Sequence, residues 1–157
     1  PMPSANPLPR DPRPHRRIRA SVRTGLVWGT TAAAVNIFVW LIARAFSVPM
    51  VVWSDPQGVG QLIQIGPLVI VGATLLASLL AGLGTGVFAR YVRRAVRWII
   101  AIGALALVAS LTGPWQQPDA VPTSTRVVLT VMHVVTALLV TFGLSRGIWG
   151  DDRAVVA

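Results

Sequence analysis

The sequence predicts an all-α integral membrane protein of four transmembrane helices, arranged as two successive hairpins with both termini on the cytoplasmic side. Three observations predict it. The 157 residues are 54% hydrophobic and only 12% charged, with a mean hydropathy of +0.65. Four apolar runs approach the roughly 20 residues that a helix needs to cross a hydrocarbon core of about 30 Å. Arginines gather at the ends of those runs, the pattern of cytoplasmic flanks in multi-pass proteins. The spans are expected at about 25–44, 62–89, 96–114 and 127–145, within a transmembrane domain of residues 25–146.

The second and third runs organise the rest. LIQIGPLVIVGATLLASLLAGLGTGVFA and VRWIIAIGALALVASLTGP flank the stretch RYVRRAVR, which carries Arg90, Arg93, Arg94 and Arg97. Arginine is costly in hydrocarbon, so this turn belongs at a water interface. Its short length and charge place it in the cytoplasm.

Composition narrows the function classes. Fourteen basic residues against five acidic ones give a net charge of +9. Six of the arginines precede the first span and four occupy the hairpin turn, which speaks for membrane topology and against nucleic acid as a partner. Every basic residue is Arg and every acidic one Asp, a bias associated with GC-rich bacterial genomes. The chain has no cysteine, which excludes disulfides, thiolate metal sites and cysteine nucleophiles.

Residues 1–24 hold six of the twelve prolines and read as an extended or disordered basic tail in the cytoplasm. Arg16, Arg17, Arg19 and Arg23 stand immediately before the first span, where they can meet anionic phospholipid headgroups at about 1 kcal/mol each. The first apolar run, from Gly25 to Ala43, is longer than the core of a secretory signal and is read as a transmembrane helix. Gly25, Gly29 and Ala33 form a ladder of small residues along it, Asn36 lies near mid-span, and Arg44 ends it. The loop from Ala45 to Gln61 is broken by Pro49, Pro56, Gly58 and Gly60, and Met50 to Trp53 suits an apolar segment resting at the outer interface.

The second span is expected to start near Leu62. It carries Ser78, Gly82 and Gly86 on one stripe and Ala73, Ala77 and Ala81 beside it. Only one of the two glycine ladders, in the first or the second span, is expected to face a partner helix. The third span ends at Gly113-Pro114-Trp115, the fourth holds His133, and residues 147–157 form a short cytoplasmic tail.

Candidate chemistry is sparse. Gly82, Gly84 and Gly86 lie inside an apolar run with no preceding strand, so they read as helix packing and not as a phosphate loop. His133 has no second histidine, Asp or Glu in the spans, so neither a metal set, a bound cofactor nor a carboxylate relay is expected. Asn36 and His133 both lie roughly 9 to 12 Å below the outer interface at about 1.5 Å per residue, which suggests an interhelical hydrogen bond between them. Arg44 and Arg126 must snorkel or pair, with lipid phosphate, a partner carboxylate, Asp55 or Asp119 as candidates.

The segments IGPLVIVGATLLASLLAGLGTGVFARY, SLTGP and VLTVMHVVTALLV together resemble an uncharacterised actinobacterial family of small four-span membrane proteins. The resemblance supports the architecture and implies no reaction. In size and character the chain is also similar to the small associated factor of mycobacterial respiratory supercomplexes, which would make it an accessory subunit beside cytochrome bcc and oxidase cores. The expected role is therefore a non-catalytic accessory or assembly subunit of a larger bacterial inner-membrane complex. Its partners would be other integral membrane subunits and anionic phospholipids. The alternatives are a small transporter or channel acting as a homo-oligomer, and an enzyme acting on lipid.

Overall fold

The computed structural model describes residues 14–55, 58, 60–92 and 95–154, with the side chains of 14–17, 90, 95 and 148–154 left aside. The elements are α1 (Pro14–Ala45), β1 (Val51–Ser54), β2 (Gln61–Gln64), α2 (Pro67–Tyr91), α3 (Ala95–Trp115) and α4 (Thr123–Ala154). Each helix contains a segment long and apolar enough to cross a membrane: Ile18–Ala45, Pro67–Ala89, Val96–Trp115 and Thr123–Gly147. The protein is a multi-pass membrane protein.

Helix α1 begins eleven residues before the expected span, so residues 14–24 are helical and not extended. Pro14 can open a helix because the first backbone N–H has no intrahelical partner to lose. No proline follows it before Pro49. Ile18, Ser21 and Val22 then lie directly against α2, so the basic segment is part of the bundle. Residues 1–13 of the expected tail lie outside the described residues.

The loop between the first two spans also differs. Val51–Ser54 pairs antiparallel with Gln61–Gln64, Val52 opposite Ile63 and Trp53 opposite Leu62. Leu62 therefore belongs to a strand, and α2 begins only at Pro67 after the extended Gly66. Strand pairing satisfies the backbone groups of a segment that helix-breaking residues on both sides keep from being helical. Gly60 leaves room for the Trp53 ring, since a Cβ there would fall 1.8 Å from it. The hairpin is tied to the α3–α4 connection by Trp53 N–H donating to Gln117 Oε1 at 2.8 Å, and the chain leading into it is tied to α4 by the Thr125 hydroxyl donating to the Pro49 carbonyl.

Helix α1 packs on both α2 and α4, and α3 packs on α4, while α2 and α3 barely touch although a short turn joins them. In space the order is therefore α2, α1, α4, α3, with a gap left between the first and last of that row. The α1–α2 seam is made by small residues from both sides. A Cβ on Gly25 would sit 2.8 Å from the Ser78 carbonyl oxygen, and one on Gly82 would sit 2.9 Å from that of Ser21. Gly86 lies equally close to Ile18, and Gly29 to the Ser78 side chain. Both glycine ladders are thus used against each other, and neither is left for a partner. The reason is complementarity: each stripe is the flat surface that lets the other backbone approach.

Two apolar clusters hold the ends of the bundle. Ala43, Met50, Ile70 and Met132 pack beneath the hairpin, and Ile99, Val140 and Leu144 pack toward the opposite end. Trp28 lies over Gly143 and meets Phe142 edge-on at 5.5 Å. Large side chains such as Phe38, Leu68 and Leu105 are exposed on the outer faces, where a bilayer would cover them.

Candidate functional site: a cleft between the second and third helices

Between the two clusters lies a cavity of about 370 Å³ walled by α2, α3 and α4, with Asn36 of α1 at its floor. Its volume falls within the usual range of small-molecule sites, about 300 to 1,000 Å³. Small residues make the space. Ala73, Ala77 and Ala81 line one wall and Gly103, Ala106 and Ser110 the other. The alanine stripe of the second span is therefore the small-residue face left unpacked, in place of either glycine ladder.

Asn36 is 2% exposed and is held by two helices at once. Its Nδ2 donates to Thr136 Oγ1 of α4 at 2.8 Å and to Thr74 Oγ1 of α2 at 3.2 Å. The expected pair of Asn36 with His133 does not form. Helix rotation decides the partner as much as depth does: Thr136 stands three residues, or about 4.5 Å, deeper on the same face of α4. His133 Nδ1 instead bonds the Leu129 carbonyl at 2.7 Å, one turn back along its own helix. Both residues nevertheless line the one cavity. Thr136 was missed, and its signal was the spacing of three from His133, which puts the two on one helical face.

Among the described residues, Asn36 Oδ1 is the buried side-chain atom that finds no hydrogen-bond partner. An unpaired acceptor in a medium without water costs about 1 to 3 kcal/mol. Among those residues, no group of three His, Cys, Asp or Glu side chains converges to hold a metal ion.

The arginines divide by position. Arg19, Arg23, Arg97 and Arg146 are exposed. They lie at the end of the bundle where Gly86 meets Ile18 and Gly147 meets Thr24. Arg146 stacks over Phe142 at 5.0 Å. The side chains of Arg16, Arg17, Arg90, Arg93 and Arg94 lie outside the described residues.

At the hairpin end, Arg44 is exposed and sits over Trp40 at 5.9 Å. Arg126 is bound by the chain itself: it donates to the Pro118 and Val121 carbonyls at 2.8 and 3.2 Å, and its guanidinium lies 3.7 Å from Asp119. The arginine has 14% of its side chain exposed and Asp119 is fully exposed, so the carbonyl bonds anchor it more than the ion pair does.

The fold and the cleft define a four-helix multi-pass membrane protein with an intramembrane cavity between its second and third helices. Within that class, the chain belongs to the family of unknown function DUF6069, which it matches over residues 16–148. The match covers all four membrane-spanning segments. No curated protein and no solved structure matches the chain.

Proposed function

We propose that the protein is a binding protein of the bacterial inner membrane that holds a small lipid-soluble molecule in the α2–α3 cleft, without catalysing a reaction. The observation that carries this reading is the cavity itself, with a buried acceptor left unpaired at its floor. Close packing is the rule inside helical bundles, and a gap lined by small residues forfeits contacts that larger side chains would make. A bound apolar molecule restores them.

The test is extraction of the purified protein, taken from its native membrane in mild detergent, and mass spectrometry of what accompanies it. The wild type is expected to retain an apolar compound in stoichiometric amount. Ala77→Trp, which fills the cleft wall, is expected to lose it. If both carry only bulk lipid in equal amounts, the reading fails.

A second reading has a separate observation behind it. Helix α3 is held almost entirely by α4 and is nearly unburied, and small residues face each other across the cleft. Such a face also suits a helix from another subunit. On this reading the protein is an accessory or assembly subunit of a larger membrane complex, with the respiratory supercomplexes suggested by sequence resemblance as the first candidates. Exposed arginines at one end would meet anionic lipid or acidic groups of that partner. Purification in mild detergent, with and without Ala77→Trp, distinguishes the two: loss of a co-purifying protein subunit supports this reading, and loss of a small molecule supports the first.

A further inference from the structure

Hydrogen-bond donors and acceptors around the floor of the cleft are unequal. Ser78 donates to the Thr74 carbonyl at 2.7 Å, Ser110 to Leu107 at 2.8 Å and Thr136 to Met132 at 2.9 Å. Asn36 Nδ2 is occupied by two hydroxyl oxygens. A carbonyl oxygen only accepts, so the His133 nitrogen beside Leu129 carries a proton. One acceptor is left over: Asn36 Oδ1 has no donor at all, and Asn36 and His133 line the same cavity.

The amide orientation follows from the network. With the Thr136 proton committed to Met132, its oxygen can only accept from Asn36, which turns Nδ2 toward it and leaves Oδ1 as the unpaired atom. The Thr74 hydroxyl accepts from Asn36, and its own proton is the donor remaining nearby.

We infer that the cleft selects a lipid-soluble molecule bearing a hydroxyl group, which donates to Asn36 Oδ1 and accepts from Thr74. This rests on the reading of the cleft as a ligand site and adds the chemistry that site recognises. A ketone, aldehyde or ether of the same skeleton can accept from Thr74 but brings no proton to Asn36 Oδ1. Asn36 Oδ1 is covered, so the ligand reaches it by moving a flexible neighbour. Met132, on the same wall, has the rotatable bonds to give way. The apolar remainder of the ligand lies along Ala73, Ala77 and Ala106.

The test uses the full chain in phosphatidylcholine nanodiscs and three radiolabelled probes of one skeleton: farnesol, its methyl ether and farnesal. Retention is measured against empty nanodiscs, which removes partition into lipid. Farnesol is expected to bind about tenfold more tightly than either acceptor-only probe, the factor set by one buried hydrogen bond. Asn36→Leu is expected to abolish the preference while leaving residual binding of all three. The wild-type comparison stands by itself if that variant fails to fold. Equal or tighter binding of the ether or the aldehyde overturns the inference while leaving the cleft a ligand site. Retention of none of the three above empty nanodiscs removes both.

Discussion

Replacing Gly82 by alanine isolates the contact on which the bundle depends. The new methyl carbon would lie 2.9 Å from the Ser21 carbonyl oxygen and 3.1 Å from the Val22 Cα. Both are backbone atoms of α1, so no side-chain rotation relieves the overlap and the two helices must separate by a few tenths of an ångström. Glycine to alanine within a helix is otherwise favourable, by about 1 kcal/mol. Overpacking costs about 1 to 3 kcal/mol. The expected net change is a destabilisation of up to about 2 kcal/mol, larger for Gly82→Leu. Gly84 supplies the control, being two residues away in the same helix with nothing within 4 Å of an added Cβ. Gly84→Ala should therefore be neutral or stabilising. Equilibrium unfolding in mixed micelles, followed by tryptophan fluorescence, measures both variants. If Gly82→Ala is as stable as Gly84→Ala, the glycine seam is not a tight contact and the α2, α1, α4, α3 order loses its main support.

Two further outcomes are expected. A double-mutant cycle on Asn36→Ala and Thr136→Ala should give a coupling of about 1 kcal/mol, against a value near zero for Asn36→Ala with His133→Ala, and equal couplings would contradict the observed hydrogen bonds. Orientation is open to single cysteines placed in a chain that has none. With the arginine-rich end in the cytoplasm, a cysteine at Ser124 should react with an impermeant reagent in wall-permeabilised cells and one at Ala95 should not, the reverse pattern inverting the topology.

The number and approximate position of the helices are legible in the residues alone. Runs of about 20 apolar residues can satisfy their backbone groups in lipid only as helices, and arginine cannot remain in hydrocarbon. All four spans are legible on that ground, and α3 ends at Trp115, one residue beyond the expected 114. Segments whose state depends on a neighbour escape that logic. Gln61–Gln64 is a strand because Val51–Ser54 lies beside it, and residues 14–24 are helical with Ile18 and Val22 packed against α2.

What the sequence by itself determined is therefore one-dimensional: membrane class, span count, charged ends, and which residues are small or polar at mid-membrane. Asn36 and His133 stood out for that reason, as rare polar groups in an apolar run. Tertiary structure decided which helical faces meet. Asn36 turns to Thr74 and Thr136, the two glycine ladders consume each other, and the alanine stripe is left facing Gly103 and Ala106 across the cleft. Periodicity assigns residues to a stripe, but several stripes here are equally small and apolar. Only the close approach of α1 to α2, set by atoms a few ångströms apart, chooses which stripe is packed and which stays open.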